Sequence, residues 1–194
     1  IDWEKNKKGT LGYRVSNDQG LILYDGIVTF NVTEDGFEVA KTIIEGPFVN
    51  LITSNSATIS LETNQSTIAK VTVSGKEYFS TEGTHHEIKI DNLNANTEYS
   101  YEVNVGNNTQ NYSFKTAHLS GERKPFTFAY ASDSRNGRGG GERNVYGANF
   151  YIIKKIMALA KQQNISFMQF SGDLINGYLS NVGHINLQYA NWKR

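Results

Sequence analysis

The sequence predicts a mainly β protein with an α/β segment at its C-terminal end. Residues 1 to about 118 contain short runs in which apolar and polar residues alternate, separated by clusters of Gly, Asn, Ser and Thr. Frequent short strands of this kind are typical of a β-sandwich. Residues 126–194 instead hold two apolar runs on either side of a helical repeat, which predicts strand, helix, strand. The polar residues 119–125, which include Gly121 and Pro125, predict a linker between the two parts.

Composition and charge exclude several classes of function. Lys and Arg number 19, as do Asp and Glu, so we expect no nucleic-acid partner. No apolar run approaches the roughly 20 residues that cross a bilayer, so we expect no membrane span. The absence of cysteine excludes disulfides and thiolate metal sites. Because the chain opens on Ile1 rather than Met, we expect that upstream polypeptide has been removed or left out. Separately, we expect a secreted, periplasmic or cell-surface protein.

The first 45 residues predict a β-hairpin and a further strand. Residues 21–32 form two apolar runs around Asp25-Gly26, and an Asp-Gly pair in this setting is a strong hairpin signal. Residues 37–44 predict the next strand.

Residues 46–118 predict a separate sandwich of seven strands. The expected strands are Phe48–Thr53, Ala57–Glu62, Ile68–Val73, Glu77–Ser80, His86–Ile90, Glu98–Val105 and Asn111–Thr116. The segments Gly46–Val49, Ser56–Thr58, Leu93–Tyr101 and Ser113–Ala117 resemble those of a fibronectin type III-like domain. The resemblance implies a fold and says little about chemistry.

Two apolar runs in residues 126–194 each end in an aspartate. The first leads to Asp133, the second leads to Gly172-Asp173, and residues 146–163 between them have helical periodicity. Parallel strands joined by such a crossover place both carboxylates at one edge of a sheet, where open α/β folds bind ligands. Paired carboxylates there suit hard or borderline metal ions. Each aspartate can equally serve only as a turn former or helix cap.

A strand ending in Asp133, a crossover helix and a strand ending in Gly172-Asp173-Leu174 resemble the opening of a calcineurin-like metallophosphoesterase. Because a fibronectin-like domain precedes this segment, the chain is similar to the purple acid phosphatase branch of that superfamily. The resemblance implies that residues 126–194 are the first βαβ part of a four-layer α/β/β/α catalytic domain. It further implies hydrolysis of phosphate esters at a centre of two divalent or trivalent metal ions, such as Fe, Zn or Mn. By motif position, Asp133 would bind one ion and Asp173 would bridge both.

The chain departs from the family pattern at two positions. Many members carry His two residues after the first Asp, where this chain has Arg135, which cannot ligate a metal. Purple acid phosphatases carry Tyr three residues after the bridging Asp, where this chain has Asn176. Tyr178, two residues further on, can substitute as a ligand if the loop bulges. Arg135 can contact the substrate phosphate through its bidentate fork, or can pair with a nearby carboxylate.

The remaining family ligands are not in this sequence. We expect them, and the rest of the fold, to come from further C-terminal polypeptide or from another chain. The histidines match no family motif, and we expect structural or peripheral roles for them: His85, His86, His118 and His184.

The Gly-rich loop at residues 136–143 fits neither a dinucleotide fingerprint nor a P-loop. We expect it to lie at the rim of the site, with Arg138 and Arg143 facing anionic substrate. Two other functions stay open: a non-catalytic β-sandwich binding or adhesion module with a degenerate α/β segment, and a nucleotide-binding domain that uses the Gly-rich loop.

Overall fold

The computed structural model describes residues 2–136 and 144–194, which form two compact units. Unit 1 consists of Ile1–Leu11 and Val28–Lys124, and unit 2 of Gly12–Ile27 and Pro125–Arg194. In chain order the elements are α1 (Trp3–Asn6), β1 (Lys8–Ser16), β2 (Ile22–Thr33), β3 (Gly36–Val39), β4 (Ile43–Asn50), β5 (Ser56–Thr67), β6 (Lys70–Val73), β7 (Lys76–Phe79), β8 (Gly83–Asp91), β9 (Glu98–Val105), β10 (Asn108–Lys115), β11 (Phe128–Ala131), α2 (Phe150–Gln162), β12 (Phe167–Phe170) and α3 (Val182–Lys193).

The N-terminal hairpin turns well before the Asp-Gly pair at which the sequence predicts its turn. Strand β2 runs through Asp25-Gly26 without a break, and the turn to β1 lies at residues 17–21, so the Asp-Gly turn is wrong. Gly26 instead makes room for a ring, because a Cβ there would lie 2.0 Å from Tyr13 Cζ. Asp25 accepts two hydrogen bonds from Arg14, at 2.7 and 2.9 Å, and this guanidinium lowers the pKa of the Asp25 carboxyl.

Unit 2 contains the predicted strand–helix–strand arrangement. Strands β11 and β12 pair in parallel, with Phe128 opposite Phe167 and Ala131 opposite Phe170, and α2 connects them. The predicted helix over residues 146–163 begins later, at Phe150, because the Asn149 side chain caps it by accepting a hydrogen bond from Ile152 N–H. A second helix, α3, follows and is absent from the sequence prediction. Within the described parts of the chain, none of the helices has the length and apolar character needed to cross a membrane.

Unit 1 contains the predicted β-sandwich. Each of the seven expected strands overlaps one of β4 to β10, although β4 contains only residues 48–50 of the strand expected over Phe48–Thr53. The strands form a three-stranded sheet of order β4-β5-β8 and a four-stranded sheet of order β10-β9-β6-β7. The single strand expected over residues 37–44 is in fact two, since β3 ends at Val39 and β4 begins at Ile43.

The core of the sandwich is made by strict alternation along its strands. In β5 every second residue from Ala57 to Thr63 is buried, as is every second residue of β8 from His86 to Ile90. Ile59, Val71 and Val103 have no exposed surface, and burying each such side chain contributes about 1.5–3 kcal/mol. The two sheets therefore share one apolar core.

Aromatic residues close one end of this core. Tyr99 stacks on Phe114 at 5.9 Å and its hydroxyl accepts a hydrogen bond from Asn94 N–H, an arrangement typical of the tyrosine corner in β-sandwiches. Tyr101 is 4% exposed, and burial together with the nearby Tyr112 raises the pKa of Tyr101 to about 12.

Among the described residues, His86 is the only histidine buried inside the sandwich. Its Nε2 lies 3.0 Å from Thr63 Oγ1 and its Nδ1 lies 2.7 Å from Ser80 Oγ, so both ring nitrogens have hydroxyl partners. Desolvation lowers the pKa of His86 below 6.5, and the neighbouring His85 acts in the same direction, whereas Glu62 opposes it. The folded sandwich therefore favours the neutral imidazole.

We expect this histidine to make the sandwich sensitive to acid. The unfolded chain binds the proton more readily, so the free energy of unfolding should fall as pH drops below about 6.5, by at most about 1.4 kcal/mol per pH unit, and level off above it. An NMR titration of the His86 ring should give a pKa below the 6.5 of an ordinary histidine. Replacing His86 by Gln should flatten the stability profile between pH 5 and 6.5, whereas Lys89→Gln, at an exposed position of the same strand, should not. Equal slopes in both variants would contradict the assignment.

Candidate functional site

The two strand-end aspartates meet at one edge of the parallel sheet. Asp133 lies two residues beyond β11, and Asp173 lies three residues beyond β12. Backbone pairing continues past the strands, because Asp133 N–H donates to Gly172 O and Arg135 N–H donates to Asp173 O, each at 3.1 Å. The loops that carry the aspartates are therefore hydrogen-bonded to each other.

Both aspartates adopt the left-handed backbone conformation. Their φ angles are 56° at Asp133 and 50° at Asp173, in a region that few non-glycine residues enter. Asp tolerates it better than most side chains, but such positions still cost of the order of 1 kcal/mol and cluster at functional sites. The loops after β11 and β12 therefore each place an aspartate in the same unusual backbone region.

Arg135 lies beside Asp173 at this edge. Its Nη2 is 3.2 Å from Asp173 Oδ2, and both side chains are nearly half exposed, so the pair contributes roughly 0–1 kcal/mol. Of the two interpretations of Arg135, pairing with a carboxylate is the contact that the structure contains. The Asp133 carboxylate accepts a short hydrogen bond from the Ser132 hydroxyl.

Tyr178 lies five residues after Asp173, and it is 95% exposed. Its role as a metal ligand stays a prediction. Asn176, at the position of the family's tyrosine, is fixed by its backbone, which donates to Gly147 O at 2.9 Å.

The histidines lie elsewhere. His184 Nδ1 is 3.0 Å from the Tyr146 hydroxyl, His85 pairs with Glu62, and His118 pairs with Glu122. Among residues 2–136 and 144–194, no group of three or more His, Cys, Asp or Glu side chains is arranged to hold a metal ion. Arg138 and Arg143 lie outside the described residues.

Ser134, between Asp133 and Arg135, ties the two loops to the interior of unit 2. It is 1% exposed, and its hydroxyl donates to Leu174 O at 3.2 Å and accepts from Trp192 Nε1 at 2.7 Å. Its backbone oxygen accepts from Asn149 N–H at 2.8 Å. One buried serine therefore links the loop after β11, the loop after β12 and the start of α2.

A tight turn over residues 145–148 packs behind both loops. Gly147 has a φ of 87°, and a Cβ there would lie 2.3 Å from Gln188 Cγ, so this position needs glycine for both backbone and space. Val145 and Ala148 hydrogen-bond each other through their backbones.

The tip of the N-terminal hairpin is part of the same framework. Tyr146 N–H donates to Ile22 O at 2.8 Å, and the side-chain amide of Asn191 donates to both Leu23 O and Tyr146 O at 2.9 Å. Asn191 is 2% exposed. A polar side chain on α3 therefore joins the hairpin to the turn that precedes α2.

Sequence reasoning missed this contribution of α3. The helix buries Gln188 and Asn191 while leaving Val182 67% exposed, so an apolar repeat does not reveal it. The available signal was its cap, because Asn181 Oδ1 accepts from His184 N–H, as an N-terminal Asn does.

Comparison with known families identifies the N-terminal domain type. Residues 38–116 match the family described as Purple acid Phosphatase, N-terminal domain. The chain therefore contains a purple acid phosphatase-like N-terminal domain, in agreement with the β-sandwich of unit 1. A search of curated proteins finds no match to the sequence.

Solved structures show a similar fold across most of the chain. The structure of PhoD aligns with a TM-score of 0.53 and 17% identity, covering 75% of this chain and 33% of PhoD. The chain thus spans about a third of PhoD. Two further structures align with lower scores. The sensor domain of the anti-sigma factor RsgI4 of Pseudobacteroides cellulosolvens has a TM-score of 0.33 and 18% identity, over 41% of this chain and 96% of that one. The central fibronectin-III array of RIM-binding protein has a TM-score of 0.34 and 14% identity, over 61% of this chain and 59% of that one.

The aspartates of the described residues have the right donor atoms for a metal centre, but there are too few of them to complete one. Two exposed carboxylates at one edge offer the oxygen donors that hard cations prefer. The third and later donors of a metal centre are not found among residues 2–136 and 144–194. A complete centre would need ligands beyond these two.

The Asn191 bridge makes a prediction about the stability of unit 2. Replacing Asn191 by Leu keeps the branched shape of the side chain but removes the donor to Leu23 O and Tyr146 O. Each lost partner costs roughly 1–3 kcal/mol, so we expect a loss of about 2–4 kcal/mol in unit 2. Hydrogen exchange should accelerate in α3 and at Tyr146 but not in β5 or β8 of the sandwich. Unchanged exchange at Tyr146 would contradict the bridge.

Proposed function

We propose that this chain is the N-terminal part of a metal-dependent phosphoesterase that hydrolyses phosphate esters. The observation that carries the proposal is the meeting of Asp133 and Asp173, both in the left-handed conformation, at the carboxyl edge of a parallel sheet. The purple acid phosphatase-like domain that precedes this sheet supports the same class. We propose accordingly that residues 126–194 begin the catalytic domain and that residues 46–118 form the fibronectin-like domain, with 1–45 as the N-terminal strand region and 119–125 as the linker.

In the proposed site, Asp133 would hold one metal ion and Asp173 would bridge two. Such ions would supply the activation of water and the neutralisation of negative charge on the phosphate. The chain's part is to fix two carboxylates in place, which the backbone bonds between their loops support. Tyr178 stays a candidate ligand only if its loop closes toward the aspartates.

Arg135 would contact the phosphate group. Its ion pair with Asp173 is exposed and weak, so a phosphate with two oxygens for the guanidinium fork can replace the carboxylate as partner. A metal ion on Asp173 would favour this exchange, because it neutralises the charge that holds the arginine.

We propose that further polypeptide completes the site, either C-terminal residues or another chain. One face of the β11–β12 sheet carries aromatic side chains that are about half exposed or more: Phe126, Phe128, Tyr130 and Phe167. Three of them stack together, with ring centroids 5.4–6.2 Å apart. An aromatic face of this kind is typical of an interface, and a second layer of structure on it would bring the missing ligands to the edge.

We also propose a secreted, periplasmic or cell-surface location.

The second candidate is a non-catalytic binding or adhesion module. The ion pair between Arg135 and Asp173 favours it, because a guanidinium occupies the carboxylate that should bridge two metals. In that case the sandwich would bind the partner and the strand-end aspartates would only shape turns.

Replacing Asp173 by Asn in the complete protein tests the proposal. Loss of the bridging carboxylate should lower hydrolysis of p-nitrophenyl phosphate by at least about 100-fold and reduce bound metal, measured by elemental analysis. Asp18→Asn is the matched control, since Asp18 is an exposed aspartate in the turn of the N-terminal hairpin. Less than one metal per chain in the wild type, with unchanged hydrolysis in Asp173→Asn, would favour the binding module.

Arg135→Gln tests the phosphate contact separately. We expect a KM for p-nitrophenyl phosphate raised about tenfold or more, since a charge-assisted contact is worth roughly 1.5–3 kcal/mol. Arg135→Lys should restore only part of this, because an ammonium lacks the planar fork. A KM equal to that of the wild type in both variants would show that Arg135 serves only as the partner of Asp173.

A further inference from the structure

We infer that Gln188 and Trp192 of α3 are positioning residues that hold the two aspartate loops at a fixed separation. The catalytic meaning of this inference rests on the proposed function, whereas the contacts themselves do not.

The first observation is that α3 buries polar side chains. Gln188 is 1% exposed, and Asn191, three residues on, is 2% exposed, while the apolar Val182 and the aromatic Tyr189 of the same helix are 67% and 40% exposed. Burying an amide costs free energy unless it is hydrogen-bonded. A helix that only covered a core would bury its apolar residues. Because α3 buries amides and exposes apolar side chains, we infer that its main contribution is hydrogen bonds and not apolar packing.

The second observation is where those contacts go. Gln188 Oε1 accepts a hydrogen bond from Gly177 N–H at 2.9 Å, in the loop that follows Asp173. Trp192 Nε1 donates to Ser134 Oγ at 2.7 Å, in the loop that contains Asp133. The two side chains are four residues apart and so lie on one face of the helix. One face of α3 therefore contacts both loops.

Trp192 also fixes the strand between the loops. Its ring meets Phe170, the last residue of β12, edge to face at 5.1 Å, and its partner Ser134 donates in turn to Leu174 O. A single indole thus contacts the end of β12 and, through one hydroxyl, the residue after Asp173.

The aspartates need such support because their own side chains are exposed. Asp173 has an exposed ion pair, and Asp133 has the hydroxyl of its neighbour Ser132. Neither contact is buried, and both backbones are in a conformation that costs free energy. We therefore assign to the partly buried hydrogen bonds behind the loops the role of keeping the carboxylates from relaxing apart. A displacement of about 1 Å at such a site can cost about 100-fold in rate.

The test uses two substitutions that each remove one hydrogen-bonding group: Gln188→Met keeps the length of the side chain, and Trp192→Phe keeps an aromatic ring. Gln188→Met removes the acceptor for Gly177 N–H, and Trp192→Phe removes the donor to Ser134. In the 194-residue chain, we expect amide exchange at Gly177 to rise about tenfold or more in Gln188→Met, and the amide resonances of Asp133 and Arg135 to shift in Trp192→Phe. Tyr189→Phe, on the exposed side of α3, is the control and should change neither.

A double-mutant cycle distinguishes positioning from general destabilisation. If Trp192 acts through Ser134, Ser134→Ala combined with Trp192→Phe should shift the Asp133 and Asp173 resonances by less than the sum of the two single changes. Exchange that rises equally at Ile153 of α2 would mean that α3 only stabilises the unit, and would overturn the inference. Unchanged exchange at Gly177 would overturn it as well.

Kinetics of the complete protein separate this inference from the proposed function. Positioning predicts a kcat for p-nitrophenyl phosphate lowered about 10- to 100-fold in both variants with KM little changed, because the phosphate contact at Arg135 is kept. If the variants change the aspartate loops as expected but the wild type hydrolyses no phosphate ester, the proposed function fails and the positioning stands. If the wild type is active and both variants keep its kcat, the positioning fails and the proposed function stands.

Discussion

The parallel pairing of β11 and β12 is the constraint on which the candidate site depends. Neighbouring strands lie about 4.8 Å apart, so side chains that leave them at the same end must lie close together. Here the pairing extends beyond the strands, through Asp133 N–H to Gly172 O and Arg135 N–H to Asp173 O. Backbone hydrogen bonds therefore connect the two loops independently of the carboxylates, whose own contacts are exposed. Substituting either carboxylate should change chemistry more than fold.

Each of the two units is stabilised internally by a different kind of interaction. The sandwich has an apolar core in which Ile59 and Val103 have no exposed surface, and apolar packing is non-directional. Unit 2 has few strand residues and buries polar groups, among them Ser134, Gln188 and Asn191. Hydrogen bonds fix distance and angle as well as contact, so they suit a unit that must set the geometry of two loops.

The sequence was informative wherever one element alone decides its structure. Alternation around Ile59 predicts a strand with one buried face, and the helical repeat before β12 predicts the crossover, and both are present. The sequence was uninformative where residues distant in the chain determine the local structure. The sequence Asp25-Gly26 is typical of a turn, yet the pair lies within β2. Arg14 of the opposite strand hydrogen-bonds Asp25, and the ring of Tyr13 packs against Gly26. The burial of Gln188 likewise depends on Gly177, which no local pattern reveals.

The same physical reasoning explains why two carboxylates do not make a centre by themselves. Asp173 is nearly half exposed and already has a cation, the Arg135 guanidinium, at 3.2 Å. A metal ion held by two exposed carboxylates would have to compete with water and with that guanidinium for the same oxygens. Additional ligands would change this balance, since each adds donors without adding a competitor and excludes water from the edge. The aromatic face that includes Phe128 and Phe167 is on the sheet that bears these loops, so polypeptide packed there would supply such ligands and cover apolar surface in a single step. On this argument, metal affinity and the burial of that face should rise together.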